Sequence, residues 1–335
     1  MRRLVAGRGA AVGAGNASSR VAARRRRWKR VVVGRGAAAA GETCRCVSLR
    51  APAQATARPL AWPDWVEGDK GPFGGLASVE VWAATRLRAV GVAAEDTEDV
   101  VAEAYEREDL AASTLAGVRV SLSGNPTSRC VPGKHYALRL IVSAITDGAM
   151  AVVSSTDAAV ECRARGASAL MGFLDADGSV QTAAVVRPPH WCGADEPFRV
   201  LLALHGTGVS ARDSADAFKM KGKGSGDDVP YAFGAPPQTC AYLVAPSRHG
   251  AHNWEGVGMR HALRAVDALA AWRGVSQKPA ILVAGHSMGG HGAGLLAAAL
   301  GPAAVGLSVN AGWLRKETRA AGGGHLRSRR RRAPY

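Results

Sequence analysis

The residues of this 335-residue sequence whose types and spacing can do chemistry stand in PAILVAGHSMGGHGAGLLAAAL, Pro279 to Leu300. An apolar run enters Gly285-His286-Ser287-Met288-Gly289, and small, helix-tolerant residues follow from Gly290. A serine with glycine two residues before and two after it suits a sharp turn between a buried strand and a helix, because neither glycine puts bulk where the two elements approach. Ser287 is then presented as a nucleophile for acyl transfer. The amino terminus of the following helix adds a field that favours developing negative charge. Upstream, LLALHGTG ends in His205-Gly206-Thr207-Gly208. Backbone N–H groups at Thr207 and Gly206, with that of Met288, can hold a tetrahedral oxyanion. His205 reads as a structural or pocket residue, and His291 as a structural residue of the helix.

These residues need a scaffold, and four near-continuous apolar runs supply one: FRVLLALHG (198–206), CAYLVAPSR (240–248), PAILVAGHS (279–287) and AVGLSVNAG (304–312). Strands buried on both faces and alternating with helices predict a parallel sheet in an α/β domain. Between the second and third runs, Met259, Leu263, Val266 and Leu269 share one face of a predicted helix. Two alternating runs around Asp175-Ala176-Asp177-Gly178 predict a hairpin. Earlier, VRVSLSG, HYALRLIVSAI and AMAVVSST alternate with period two, so roughly 115–165 reads as a small β-rich module. Leu76–Val90 and Ala93–Ala112 read as helical, the second as a solvated acidic face carrying Glu95, Asp96, Glu98, Asp99 and Glu103. Residues 62–75 read as irregular and GNPTSRCVPG as a loop without chemistry.

From about Gly172 to Trp313 the sequence resembles the α/β-hydrolase fold, and more narrowly prolyl oligopeptidase-like and dienelactone-hydrolase-like serine hydrolases. The resemblance is carried by DGSVQTAAVV, LLALHGTGVSA, YLVAPSRHGAHNWEG, LVAGHSMGGHG and SVNAGW. It implies a mostly parallel sheet, Ser287 as nucleophile, and Met288 with Thr207 and Gly206 as oxyanion donors. It also implies that Trp254 and Glu255, in the loop His249–Gly256, overlook the site beside His205. In that fold the acid and histidine of the triad follow the serine. Only 22 residues follow Trp313, whereas two more strand–helix units need on the order of 30 residues each. Glu317 and His325 are the remaining candidates. The expectation is therefore a hydrolase domain over 166–314 that lacks its last strands, leaving an apolar edge at 304–312. Three functions stay open: a serine-type peptidase, an esterase, or a binding protein that keeps the fold without a complete triad.

Charge narrows the partners. Of the net +16, residues 1–60 contribute +13 (14 Lys/Arg, one acid) and 315–335 contribute +7 (8 Lys/Arg, one acid), leaving −4 for 61–314. The basic clusters Arg24–Arg30 and Arg327–Arg332 flank no nucleic-acid-reading fold, so they read as disordered, solvated ends and no nucleic-acid partner is expected. The acid-poor, arginine-rich leader is also compatible with a transit peptide or with translated flanking sequence, so the compartment stays open. The domain plan is thus a leader over 1–60, helical segments with the β-rich module over 61–165, the hydrolase domain, and a basic tail over 315–335. No apolar run reaches the roughly 18 residues of a membrane span. Six scattered cysteines, Cys44, Cys46, Cys130, Cys162, Cys192 and Cys240, lack the spacing of a zinc site and read mostly as free thiols. No metal or organic cofactor is expected, and the partner is a peptide or ester substrate.

Overall fold

The computed structural model describes residues 55–95, 98–104, 108–146, 148–189, 192, 197–221, 228–230, 240–250 and 252–313. The tail 315–335, with Glu317 and His325, and most of the leader lie outside them.

The first half is sheet. It runs β1 (Ala55–Ala61), β2 (Trp65–Val66), β3 (Leu76–Ala83), β4 (Leu87–Ala94), β5 (Val100–Ala104), β6 (Glu108–Leu110), β7 (Thr114–Gly124), β8 (His135–Thr146) and β9 (Ala149–Arg163). Among the described residues these nine make one sheet in the order β1-β3-β7-β5-β4-β8-β9-β2, with β6 on β4. The alternation expected over 115–165 is present: along β8 every second residue faces the core, and Tyr136, Leu138, Leu140, Val142 and Ala144 are buried. One face is packed and the other solvated, as antiparallel sheets permit.

Two expectations are corrected here. The stretches 76–90 and 93–112 are not helices but β3 to β6. Val79 and Trp82 match a helical spacing, yet Val79, Val81 and Ala83 alternate with Glu80 and Trp82, and period two prevails. Val79, Val81 and Ala83 are buried, whereas Trp82 is 40% exposed and Glu80 pairs with Arg58 across β1. β-Branched residues fit that pleated, half-buried surface better than a helix. The leader is also shorter than expected, since residues 55–60 belong to β1.

A second sheet follows, from β10 (Ala169–Leu174), β11 (Val180–Val186) and β12 (Arg199–Leu204). Next come α1 (Ala211–Ala217), a short pair β13 (Lys219–Lys221) and β14 (Asp228–Pro230), then β15 (Ala241–Pro246) and α2 (Val257–Arg273). The described chain closes with β16 (Ala280–His286), α3 (Met288–Leu300) and β17 (Ala304–Asn310). The sheet order is β10-β11-β15-β12-β16-β17. β10 and β11 form the expected hairpin about Asp175–Gly178, antiparallel to each other, and β11 is antiparallel to β15. From β15 through β12 and β16 to β17 every pairing is parallel. The sheet is mixed, with the four expected apolar runs forming its parallel part.

All six residues of β15 are buried, and so are the last five of β12. Helices explain why both faces are apolar. Leu201, Ala203, Leu243 and Ala245 face Ala211 and Ala215 of α1. Val200, Leu202, Val244 and Val283 face Ala262, Val266 and Leu269 of α2 with Ala293 and Leu296 of α3. Met259 and Leu263 sit at the margin of that core.

The segment 62–75 ties the two sheets. Buried Asp64 accepts the Leu170 amide (2.7 Å) and Arg212 Nη2 (2.5 Å). Arg187, just after β11, grips Asp69 with Nη1 and Nη2 and lies over the rings of Phe73 (4.8 Å) and Trp272 (4.5 Å). The cysteine expectation is corrected too: Cys130 is bonded to Cys162 and Cys192 to Cys240, each pair with Cα atoms 5.5 Å apart. The GNPTSRCVPG loop is thus stapled to the end of β9. Partners 32 and 48 residues apart in sequence carry no local spacing signal. Cys44 and Cys46 lie outside the described residues.

Candidate active site

Ser287 caps α3 directly after β16, with φ 53° and ψ −118°. That conformation costs a non-glycine residue roughly 1–3 kcal/mol and persists only where its surroundings enforce it. They do so by hydrogen bonds on both sides: the Ser287 amide donates to the Asn310 carbonyl of β17 (2.8 Å), and its carbonyl accepts the His291 amide (3.0 Å). The flanking glycines are needed for space. A Cβ at Gly285 would stand 2.1 Å from the Gly289 carbonyl oxygen, and one at Gly289 would stand 1.8 Å from that of Leu204. Strand, turn and helix therefore close on each other and on the end of β12.

The turn after β12 lies against this serine. A Cβ at Gly206 would be 3.6 Å from Ser287 Cβ and 3.3 Å from the His286 carbonyl oxygen. Thr207 Oγ1 donates to Met288 Sδ at 3.7 Å. Met288 is buried at the first position of α3, where backbone N–H groups have no partner within the helix. Ser287, Met288, Gly206 and Thr207 are thus brought together at the carboxyl edge of the parallel strands, where open α/β sheets bind ligands.

Trp254 locks the arrangement from behind. Fully buried and at φ 63°, it donates its indole N–H to the His205 carbonyl (3.0 Å). Its Cβ lies where a side chain on Gly292 would go, at 2.2 Å. His205 is buried edge-on to Trp254 with ring centroids 5.1 Å apart, and its Nδ1 bonds the Gly206 carbonyl (2.8 Å). Burial pushes the His205 imidazole down from its ordinary 6.5, against the opposing effect of the Gly206 bond. Glu255 Oε1 bonds His291 Nε2 (2.9 Å), and His291 Nδ1 bonds the Trp313 carbonyl (2.7 Å), with the two rings stacked. Glu255 and His291 thereby join the 252–256 loop to α3 and to the residues after β17.

Sequence reasoning did not single out Arg248. Its guanidinium Nη1 lies 3.2 Å from Met288 Sδ and donates to the His252 carbonyl (3.4 Å). It stands two residues past the end of β15, and a cation just after a buried strand was the available signal. Among the described residues, no imidazole hydrogen-bonds to Ser287 Oγ.

No protein-family model matches the chain, and no curated protein matches it. Solved structures do. The chain is similar to the S-formylglutathione hydrolase FrmB of Staphylococcus aureus, at 16% identity over 45% of this chain and 59% of that one, with a TM-score of 0.34. It is similar to a thermostable esterase at 14% identity, over 75% and 74% of the two chains, with a TM-score of 0.31. A prolyl endopeptidase matches at 12% identity over 74% of this chain and 34% of its own, with a TM-score of 0.29. The chain therefore spans less than two thirds of the length of the first and third of these proteins.

Proposed function

We propose that the chain is a serine hydrolase of α/β-hydrolase type, acting through an acyl-enzyme, with Ser287 as its catalytic residue. The observation that carries this reading is the conformation of Ser287, a strained serine at a strand-to-helix turn closed by Gly285 and Gly289. Ser287 Oγ attacks a substrate carbonyl carbon while a base takes its proton. The oxyanion is held by the amides of Met288 and Thr207, with Gly206 shaping the turn. The leaving group departs with a proton, and water then releases the acid and restores the serine. Loss of one such oxyanion donor costs about 100-fold or more in rate. His205, Trp254 and Glu255 set the walls rather than react. The base and acid are sought in Glu317, His325 or sequence outside the described residues.

The resemblance of the Gly172–Trp313 sequence favours a peptidase of prolyl oligopeptidase-like kind, with an esterase as its alternative. Purified chain assayed on matched p-nitrophenyl esters and peptide anilides decides between them. Hydrolysis that falls by at least about 1,000-fold in Ser287→Ala is expected; hydrolysis that survives the substitution contradicts the proposal.

A specific observation favours a second reading, a binding protein without a triad. The buried imidazoles near the serine are already engaged: His205 with the Gly206 carbonyl and His291 with Glu255 and Trp313. A folded chain that binds acyl substrates without turning them over would support that second reading.

A further inference from the structure

A separate group of side chains gathers at the same sheet edge. Asp175 and Asp177 lie on the β10–β11 turn, His249 follows β15, and His261 is on the second turn of α2. Asp175 Oδ2 is 2.8 Å from His261 Nδ1 and 3.4 Å from His249 Nδ1. Asp177 Oδ2 is 3.7 Å from the same His249 nitrogen. All three donor atoms of Asp175, His249 and His261 lie within 4.8 Å of one another. They line a pocket of about 320 Å³ with Asp177, Val257 and Arg260.

The hydrogen bonds at His261 fix what its ring presents. Nε2 donates to the Ser247 carbonyl, which can only accept. With Nε2 so anchored, Nδ1 is the ring atom that faces the Asp175 carboxylate, which can only accept. Both groups are buried, His261 at 2% and Asp175 at 8% exposure. The Ala176 amide donates to Asp175 Oδ1 (2.7 Å), which leaves Oδ2 to face the two imidazoles. A lone pair facing a carboxylate repels unless a positive charge lies between them or beside both.

We propose that Asp175, His249 and His261 bind one divalent transition-metal ion of the zinc class. An imidazole whose second nitrogen donates to a backbone carbonyl is the usual arrangement of a ligating histidine. Ligands about 2.1 Å from zinc stand roughly 3–3.5 Å apart when adjacent; the 3.4 Å separation matches, and the 2.8 Å one must open by about 0.5 Å as the ion enters. Asp177 is within reach as a fourth ligand, and two carboxylates against the single Arg260 leave the pocket net negative. Two imidazoles with carboxylate oxygen suit zinc over calcium or magnesium. An ion here staples the β10–β11 turn to α2 and to the segment that carries Arg248 and Trp254 toward Met288. The proposal requires nothing of Ser287.

The test is titration of Zn²⁺ into the full chain after chelator treatment, by calorimetry and by thermal shift, beside Asp175→Asn and His249→Ala. The His249 side chain is 38% exposed, so its removal leaves the core intact. One ion per wild-type chain is expected, with a raised Tm. Co²⁺ should give d–d absorption without thiolate charge transfer, and each variant should bind at least about 10-fold more weakly. A folded wild-type chain that binds no Zn²⁺ overturns the proposal, as does undiminished affinity in either variant or a thiolate band with Co²⁺. Those results would leave Asp175, His249 and His261 as a hydrogen-bonded cluster without an ion.

Discussion

Ser287 and His205 show how single residues here are held against their own preferences. The serine keeps a left-handed φ because Asn310 and His291 hold its amide and carbonyl, and the enclosing glycines leave no room to relax. His205 is held neutral by burial, so its effect on stability has a definite sign. Its folded pKa lies below 6.5. Its contribution is therefore complete above about pH 6.5 and is lost as pH falls through the folded value, because the unfolded chain takes up the proton first. His205→Gln should remove that component. Unfolding free energies from denaturant titrations between pH 7.5 and 5.5 should fall less steeply in the variant, by at most about 1.4 kcal/mol per pH unit. Equal slopes would show that His205 titrates alike in both states.

At the scale of elements, legibility followed the strength of the local pattern. β12, β15 and β16 were readable because five or more consecutive apolar residues leave few alternatives, and the Asp175–Gly178 turn announces its hairpin. β3 and the start of β4 were misread because Val79, Trp82 and Leu87 satisfy a helical spacing while Val79, Val81 and Ala83 satisfy a strand; pairing of β3 with β7 and β1 decides, and that is a long-range fact. The acidic stretch broke into β5 and β6 for the same reason. The serine turn was legible from Gly285 and Gly289 set between an apolar run and a helix-tolerant stretch. The cluster of Asp175 with His249 and His261 was not, since its members lie 74 and 86 residues apart. Gly289→Ala tests the close packing directly. With a Cβ 1.8 Å from the Leu204 oxygen, either β12 or α3 must move. A stability loss of about 3 kcal/mol is expected in chemical denaturation. A loss below about 1 kcal/mol would mean the turn is looser than described.

For the molecule as a whole, two sheets are held together by a few strong contacts rather than by a continuous core. The cluster under β3, β7 and β8 is separate from those on either face of the mixed sheet. Asp64 and Arg187 carry much of the junction. Disulfides staple each half once among the described residues, closing Cys130 on Cys162 and Cys192 on Cys240. Such bonds persist in oxidising surroundings. The positive charge belongs to the sequence ends, while 61–314 is net −4. The most direct test of the role of Ser287 needs no knowledge of substrate: the purified 335-residue chain is exposed to a fluorophosphonate probe beside Ser287→Ala, and adducts are mapped by mass spectrometry. One covalent adduct per chain, on Ser287 and absent from the variant, is the predicted result. A folded chain that takes no label, or that labels equally after the substitution, would contradict Ser287 as the nucleophile.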